Sequence, residues 1–196
     1  MPVGVDRESV RMDVAIERKP RSVLFLGRLD EPKRPHLLLE ALGILARRGV
    51  QFSAAFVGGP TDPHSSLPAK LQNLSEKLGI SDRVSFVGTV PNTETFRYYR
   101  SHTIFINCSP SGMLDKTTFK AIASGCLILS ASGDLGEFID KRFIYRENDP
   151  AHLAEQLERL LTLSSSDAEK YAAELQEALK NQDVGEVARR LIEEMQ

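Results

Sequence analysis

Short apolar runs alternate with amphipathic stretches from Ser22 to Tyr145. Ser22 to Leu26 (SVLFL), Phe52 to Val57 (FSAAFV), Val84 to Val87 (VSFV), Thr103 to Cys108 (TIFINC) and Leu127 to Ala131 (LILSA) are short runs with β-branched or aromatic content, and each predicts a buried strand. Phe143 to Tyr145 is the candidate for a sixth. Between these runs apolar residues return at helical spacing. One series is Leu37, Leu38, Ala41, Leu42, Leu45 and Ala46, and another is Phe119, Ile122, Ala123 and Cys126. Leu67 to Leu78 reads as a helix closed by Gly79, Thr93 to Arg100 as a further helix, and a short helix is expected around Glu137. Pro150 to Leu163 is helical by the spacing of Leu153, Leu157, Leu160 and Leu161, Ser164 to Asp167 reads as a break and N-cap, and two more helices are expected up to Gln196. Strands that alternate with helices imply a parallel sheet covered on both faces. The expectation is an α/β, doubly wound Rossmann-like parallel sheet of about six strands, with helices on both faces and extra C-terminal helices. Met1 to Arg21, polar and without periodicity, reads as a connector (residues 1–21), and residues 22–196 as one domain.

Composition narrows the class. With 196 residues, 41% of them hydrophobic and 27% charged, the chain has material for a full core. A net charge of −2 gives no global field for nucleic acid or an anionic membrane, so any anion site must be local. Cys108 and Cys126 both lie beside apolar runs and read as buried free thiols. There is no apolar signal core and no run of membrane-spanning length, so a cytoplasmic protein is expected, with no nucleic acid partner and no membrane span.

In doubly wound sheets ligands bind beyond the carboxyl ends of the strands. The residues there are Gly27, Arg28 and Lys33 after the first strand, Gly58 and Gly59 after the second, Gly88 to Val90 after the third, and Ser109 to Lys120 after the fourth. That last stretch, SPSGMLDKTTFK, is a polar loop re-entering as a helix. Pro110 and Gly112 open the loop, and Asp115 is placed to cap the helix. Lys116 and Lys120 sit four apart near the helix start, where they repel each other and oppose the dipole, a penalty that an anion would relieve. Each feature also has a plainer reading. Gly27, Gly58 and Gly88 fit turn geometry, Arg28 and Lys33 fit surface pairs with Asp30 and Glu31, and the two lysines fit a solvated face. Their recurrence along one sheet edge favours a diphosphate.

These residues resemble the carboxyl-terminal, nucleotide-sugar-binding domain of retaining GT-B glycosyltransferases of family four (group 1). The likeness runs over nearly the whole chain. It is carried by PVGVDR (Pro2 to Arg7), Gly27-Arg28-Leu29 with Lys33, FVGG (Phe56 to Gly59), LGISDRVSFVGTV (Leu78 to Val90) with Tyr98 and Tyr99, and AIASG (Ala121 to Gly125). The resemblance implies a nucleotide-diphosphate-sugar donor gripped by Arg28 and Lys33. Gly27, Gly58, Val90, Ser111, Gly112, Asp115, Lys116 and Lys120 complete the expected substrate-binding set. It implies no cofactor, no metal and no catalytic residue on this chain. It also implies a separate amino-terminal domain that binds acceptor, so that this chain alone is expected to bind donor without transferring sugar.

Two departures stand out. The family carries two glutamates eight positions apart, and the matching positions here are Gly112 and Lys120. The first loss resembles a known variant with Gly in the loop and an Asp-Lys pair before the helix, here Asp115 and Lys116. The second places a cation where the family holds ribose hydroxyls, and Lys120 is expected either to approach the diphosphate or to be neutralised by a neighbour such as Asp115. Three functions compete: the donor-binding half of a glycosyltransferase, a non-catalytic nucleotide or nucleotide-sugar module, and an unrelated doubly wound domain such as a nicotinamide dehydrogenase. The last lacks both a G-x-G-x-x-G after the first strand and an acidic residue ending the second.

Overall fold

The computed structural model describes residues 16–180, apart from Leu114. Five parallel strands form its sheet: β1 (Ser22–Leu26), β2 (Ser53–Val57), β3 (Val84–Gly88), β4 (Ile104–Asn107) and β5 (Leu127–Ser130). Helices α1 (Pro35–Arg47), α2 (Leu67–Lys77), α3 (Thr95–Ser101) and α4 (Lys116–Ala123) make the crossovers, and α5 (Pro150–Leu161) and α6 (Ser165–Lys180) follow the sheet. α1 packs on α2 and α5, while α4 packs on α3 and α6, so both faces are covered. This two-sided cover is why the strands read as continuous apolar runs.

The expected sixth strand is not formed. Lys141–Phe143 closes a short 3-10 turn, and Ile144 makes a single isolated bridge to Ser130. With Lys141 and Arg142 before it and Arg146 and Glu147 after it, this stretch offers too few apolar residues to extend a ladder buried on both faces. The second of the two C-terminal helices, and most of the connector, fall outside the described residues. The connector's last residues are docked against the sheet and its helices. The Arg18 guanidinium donates to the carbonyl oxygens of His102 and, at 2.8 Å, of Ser124.

The strand order is β3-β2-β1-β4-β5. The chain winds outward from β1 through β2 to β3, then returns to the other side of β1 for β4 and β5. The seam between β1 and β4 is therefore the point where strand order reverses, and loops leaving the two strands diverge to opposite faces and leave a crevice. On the other side of β1, Phe25, Phe56 and Phe86 occupy one register row across β1, β2 and β3, with ring centroids 5.4 and 5.2 Å apart. A register shift follows that row, so that Val57 pairs with Gly88 and Val87 is left over as the extra residue of a bulge.

Local chemistry fixes the element ends. Pro35 and Pro150 start α1 and α5, where a missing N–H costs nothing. Asp149 caps α5 by accepting from the His152 N–H at 2.8 Å.

Candidate functional site

Beyond the carboxyl ends of β1, β2 and β3 lies a cleft of about 380 Å³. Its floor is backbone: the Gly27 N–H donates to the Val57 carbonyl at 3.0 Å, and the Gly58 N–H to the Gly88 carbonyl at 2.8 Å. Gly58 has φ 129°, and a Cβ there would overlap the Gly27 carbonyl, so glycine is required for both conformation and close approach. Its role is thus more specific than turn geometry. Apart from Gly27 and its two chain neighbours, no heavy atom lies within 4 Å of where a Gly27 Cβ would be, so the first strand ends in open space. Leu26, Val57 and Val90 give the cleft apolar walls, and Arg28, Thr61 and Thr89 give it polar ones.

Arg28 reaches into solvent with its side chain 61% exposed and loosely held, 3.5 Å from Asp30 and 3.3 Å from the Thr61 hydroxyl oxygen. Asp30 accepts the Thr61 hydroxyl at 2.6 Å and the Thr61 N–H at 2.9 Å. Those two bonds, with Arg28 adding to them, hold the Asp30 carboxyl below its ordinary range against a small desolvation effect. The expected surface pair of Arg28 with Asp30 is therefore present, and it leaves the guanidinium available.

Lys33 behaves differently. It ends the 3-10 turn Glu31–Lys33 and turns inward across the β1–β4 seam, where its Nζ lies 2.8 Å from Asp115 Oδ2 and 3.2 Å from Ser109 Oγ. Both partners of the ion pair are nearly enclosed, at 12% and 11% side-chain exposure. Asp115 is also the N-cap of α4, as its spacing suggested. Its Oδ1 accepts from the Thr117 N–H at 3.1 Å and the Thr117 hydroxyl at 2.6 Å. One carboxylate thus joins the loop after β1 to the helix after β4.

The Ser111–Gly112 loop is held by two carboxylates outside the strand ends predicted to carry the site. Glu147 Oε1 accepts from the Ser111 N–H and hydroxyl at 2.9 and 2.8 Å, while its Oε2 meets Arg34 at 3.3 Å. Ser111's N–H and hydroxyl, ahead of Arg34, keep the Glu147 carboxyl below its usual value against desolvation. Asp134 Oδ2 accepts from the Gly112 N–H at 2.6 Å, and Gly112 has φ 77°. Asp134 follows β5, and Glu147 follows the Ile144 bridge to it. Extending the strand-end rule to β5 reaches the segment that carries Asp134, but nothing in the sequence marks either carboxylate as a partner of this loop.

Lys116 is the first residue of α4. Lys120 lies one turn on, and its Nζ donates to Asn92 Oδ1 at 3.3 Å. The expected neutralisation of Lys120 by Asp115 is not what forms, because Asp115 is already committed to Lys33 and its cap. The ten residues therefore fall into two groups. Gly27, Arg28, Gly58 and Val90 line the cleft, and Ser111, Gly112, Asp115, Lys116 and Lys120 belong to the β4 loop and α4. Lys33 comes from the loop after β1 but its side chain pairs with the second group, through Asp115 and Ser109.

Both thiols are free and buried, and burial pushes Cys108 up to about 12 and Cys126 up to about 11, so neither is a ready nucleophile. Among the described residues no group of three or more His, Cys, Asp or Glu side chains is arranged to hold a metal, and no helix is long and apolar enough to cross a membrane.

Comparison with known proteins identifies the lineage. The profile of the family "Glycosyl transferases group 1" matches residues 20–163. The chain belongs to this family. The D-inositol 3-phosphate glycosyltransferase of Frankia alni is 32% identical over an alignment of 174 residues that covers 81% of this chain and 43% of that protein. Its counterpart in Nocardia farcinica is 31% identical over 128 residues, 64% of this chain and 28% of that protein. This group 1 chain thus spans less than half the length of the curated relatives it matches. The catalytic domain of cholesterol-alpha-glucosyltransferase from Helicobacter pylori shares the fold, with a TM-score of 0.70 at 18% identity over 84% of this chain and 100% of that one. Anabaena Alr3699/HepE in complex with UDP and glucose also shares it, with a TM-score of 0.70 at 18% identity over 90% of this chain and 48% of that one. The group 1 glycosyltransferase chain therefore has the α/β architecture of GT-B proteins.

Proposed function

We propose that this chain is the donor-binding half of a retaining glycosyltransferase. The nucleoside of a nucleotide-diphosphate-sugar occupies the cleft over Gly27 and Gly58, the diphosphate meets Arg28 and Lys33, and the sugar lies over the Ser111–Gly112 loop. The observation that carries this reading is the placement of two cations from the loop after β1. Arg28 is exposed on the cleft wall, and Lys33 sits at the seam where strand order reverses. The UDP-bound state of Alr3699/HepE, which shares the fold, supports the choice of ligand. Transfer itself requires an acceptor-binding domain outside this chain, in keeping with its share of the relatives' length.

No residue of this chain is assigned the chemical step. Its contribution is to bind and orient the donor and to hold negative charge as the diphosphate departs, work that charged donors already in position perform well. A second reading, a nucleotide-binding module without catalysis, is favoured by Lys120. By the resemblance, a cation stands where the family holds a glutamate for the ribose hydroxyls, and here it donates to Asn92 Oδ1.

Calorimetry with UDP and UDP-glucose tests the assignment. Arg28→Ala and Lys33→Met should each weaken binding by about 1.5–3 kcal/mol, the range for hydrogen bonds to charged groups. Unchanged affinity in both variants would remove the diphosphate from this edge.

A further inference from the structure

Asp115 does two things at once, and the combination limits what the site accepts. Its Oδ1 is held by the Thr117 N–H and hydroxyl, while its Oδ2 pairs with Lys33 Nζ at 2.8 Å. The capping bonds fix the carboxylate, because swinging it away would leave the first turn of α4 uncapped. Lys33 cannot shed its partner by moving into water, since its side chain is only 12% exposed and its second contact, Ser109 Oγ, belongs to a residue that is fully buried. Any anion that Lys33 binds therefore shares the ammonium with a resident negative charge. An oxygen accepting from Nζ at the usual 2.7–2.9 Å lies at most about 6 Å from Asp115 Oδ2, well inside the Debye length.

We infer that Asp115 is a specificity-determining residue of this site: it discriminates among phosphate ligands by their charge, admitting a diphosphate ester and disfavouring a nucleoside triphosphate. The inference rests on the proposed placement of a diphosphate at Lys33. Repulsion from a fixed carboxylate grows with each added negative charge. A diphosphate esterified to a neutral sugar carries fewer charges than free UDP, and free UDP fewer than UTP. The same carboxylate that anchors α4 thus penalises the ligands in that order, and favours release of the free nucleotide over the intact donor.

Asp115→Asn separates the charge from the cap, because Asn and Asp are equivalent N-caps. The measurement is calorimetric affinity of the 196-residue chain for UDP-glucose, UDP and UTP, in wild type and variant, at low and high salt, with thermal melts as a check on folding. The variant should stay folded but melt below wild type, because the nearly enclosed Lys33 ammonium loses its carboxylate partner and meets the amide's N–H2 group instead. It should bind UDP about fivefold or more tightly than wild type does, UTP by a larger factor and UDP-glucose by a smaller one, the scale of removing one charge at this separation in high dielectric. Raising the salt should shrink all three gains, which loss of a merely structural contact would not do. Asp115→Ala should show the same ordering with a lower melting temperature, since it loses the cap as well. Equal gains for the three ligands, no gain, or weaker binding by the folded Asn variant would overturn the inference while leaving nucleotide binding intact. If wild type bound none of the three ligands, and Lys33→Met therefore changed nothing, the donor-site reading would fall and this inference with it.

Discussion

At the scale of single residues, burial leaves a titration signature away from the cleft. His102 is 6% exposed, with its Nδ1 2.8 Å from the Tyr98 carbonyl oxygen and 3.0 Å from the Ser101 hydroxyl. Desolvation lowers its pKa from the ordinary 6.5 and outweighs the hydrogen bond to Tyr98, while Lys19 and Arg18 nearby push the same way. A folded-state value below the unfolded one means that the unfolded chain takes up the proton first. The stability that neutral His102 provides is thus fully present above its unfolded value of 6.5 and is lost as pH falls below it. Urea unfolding at a series of pH values should show this decline, and His102→Asn, which keeps an N–H donor and does not titrate, should flatten it. Asp30, Glu147 and Asp149, whose carboxyls are lowered, contribute a separate loss at more acidic pH, below their ordinary values of 3.8 to 4.5. A decline unchanged by His102→Asn would assign the effect elsewhere.

At the scale of elements, the phenylalanine row ties three strands together. Phe56 stacks on both Phe25 and Phe86 and is 0% exposed, so Phe56→Ala should cost about 3–5 kcal/mol in urea unfolding, as large-to-small core changes do. Phe86, half-buried on the edge strand, should cost less, and equal losses would mean that the row does not act through burial. The same elements show how far the fold was legible in the sequence. Strands buried on both faces read as continuous apolar runs, so β1 to β5 stand out with ends shifted by a residue or so. Phe143 to Tyr145 misled because a short apolar run also serves as a plug: Phe143 and Tyr145 are buried in the core without a ladder. In the candidate site, Arg28, Lys33 and the β4 loop follow from the strand-end rule. What joins them does not, because Lys33 and Asp115 lie 82 positions apart and nothing local marks either as the other's partner. Asp134 and Glu147 escaped for a related reason, since carboxylates in loops resemble any solvated surface charge until the backbone they accept from is known.

At the scale of the whole molecule, the proposed donor site is half of a cleft. A donor held by this chain alone remains open to water and lacks the positioned acceptor that supplies much of the rate. The isolated chain should therefore bind UDP-glucose without transferring its sugar, which an assay of UDP release in the presence and absence of acceptor would check. Acceptor-dependent turnover by the chain alone would refute this. The central place of β1 has a further consequence for how the cleft comes into being. Leu24 pairs with Ala55 on one side and Phe105 on the other, separations of 31 (55 − 24) and 81 (105 − 24) residues. By the logarithmic dependence of chain entropy on loop length, closing the longer contact first would cost about 0.9 kcal/mol more than closing the shorter. The β1–β4 contact spans more of the chain than any other strand pairing in the sheet. The cleft walls contributed by β1, β2 and β3 are thus built from closures of about thirty residues, whereas the crevice that unites Lys33 with Asp115 depends on the most entropically demanding closure in the sheet.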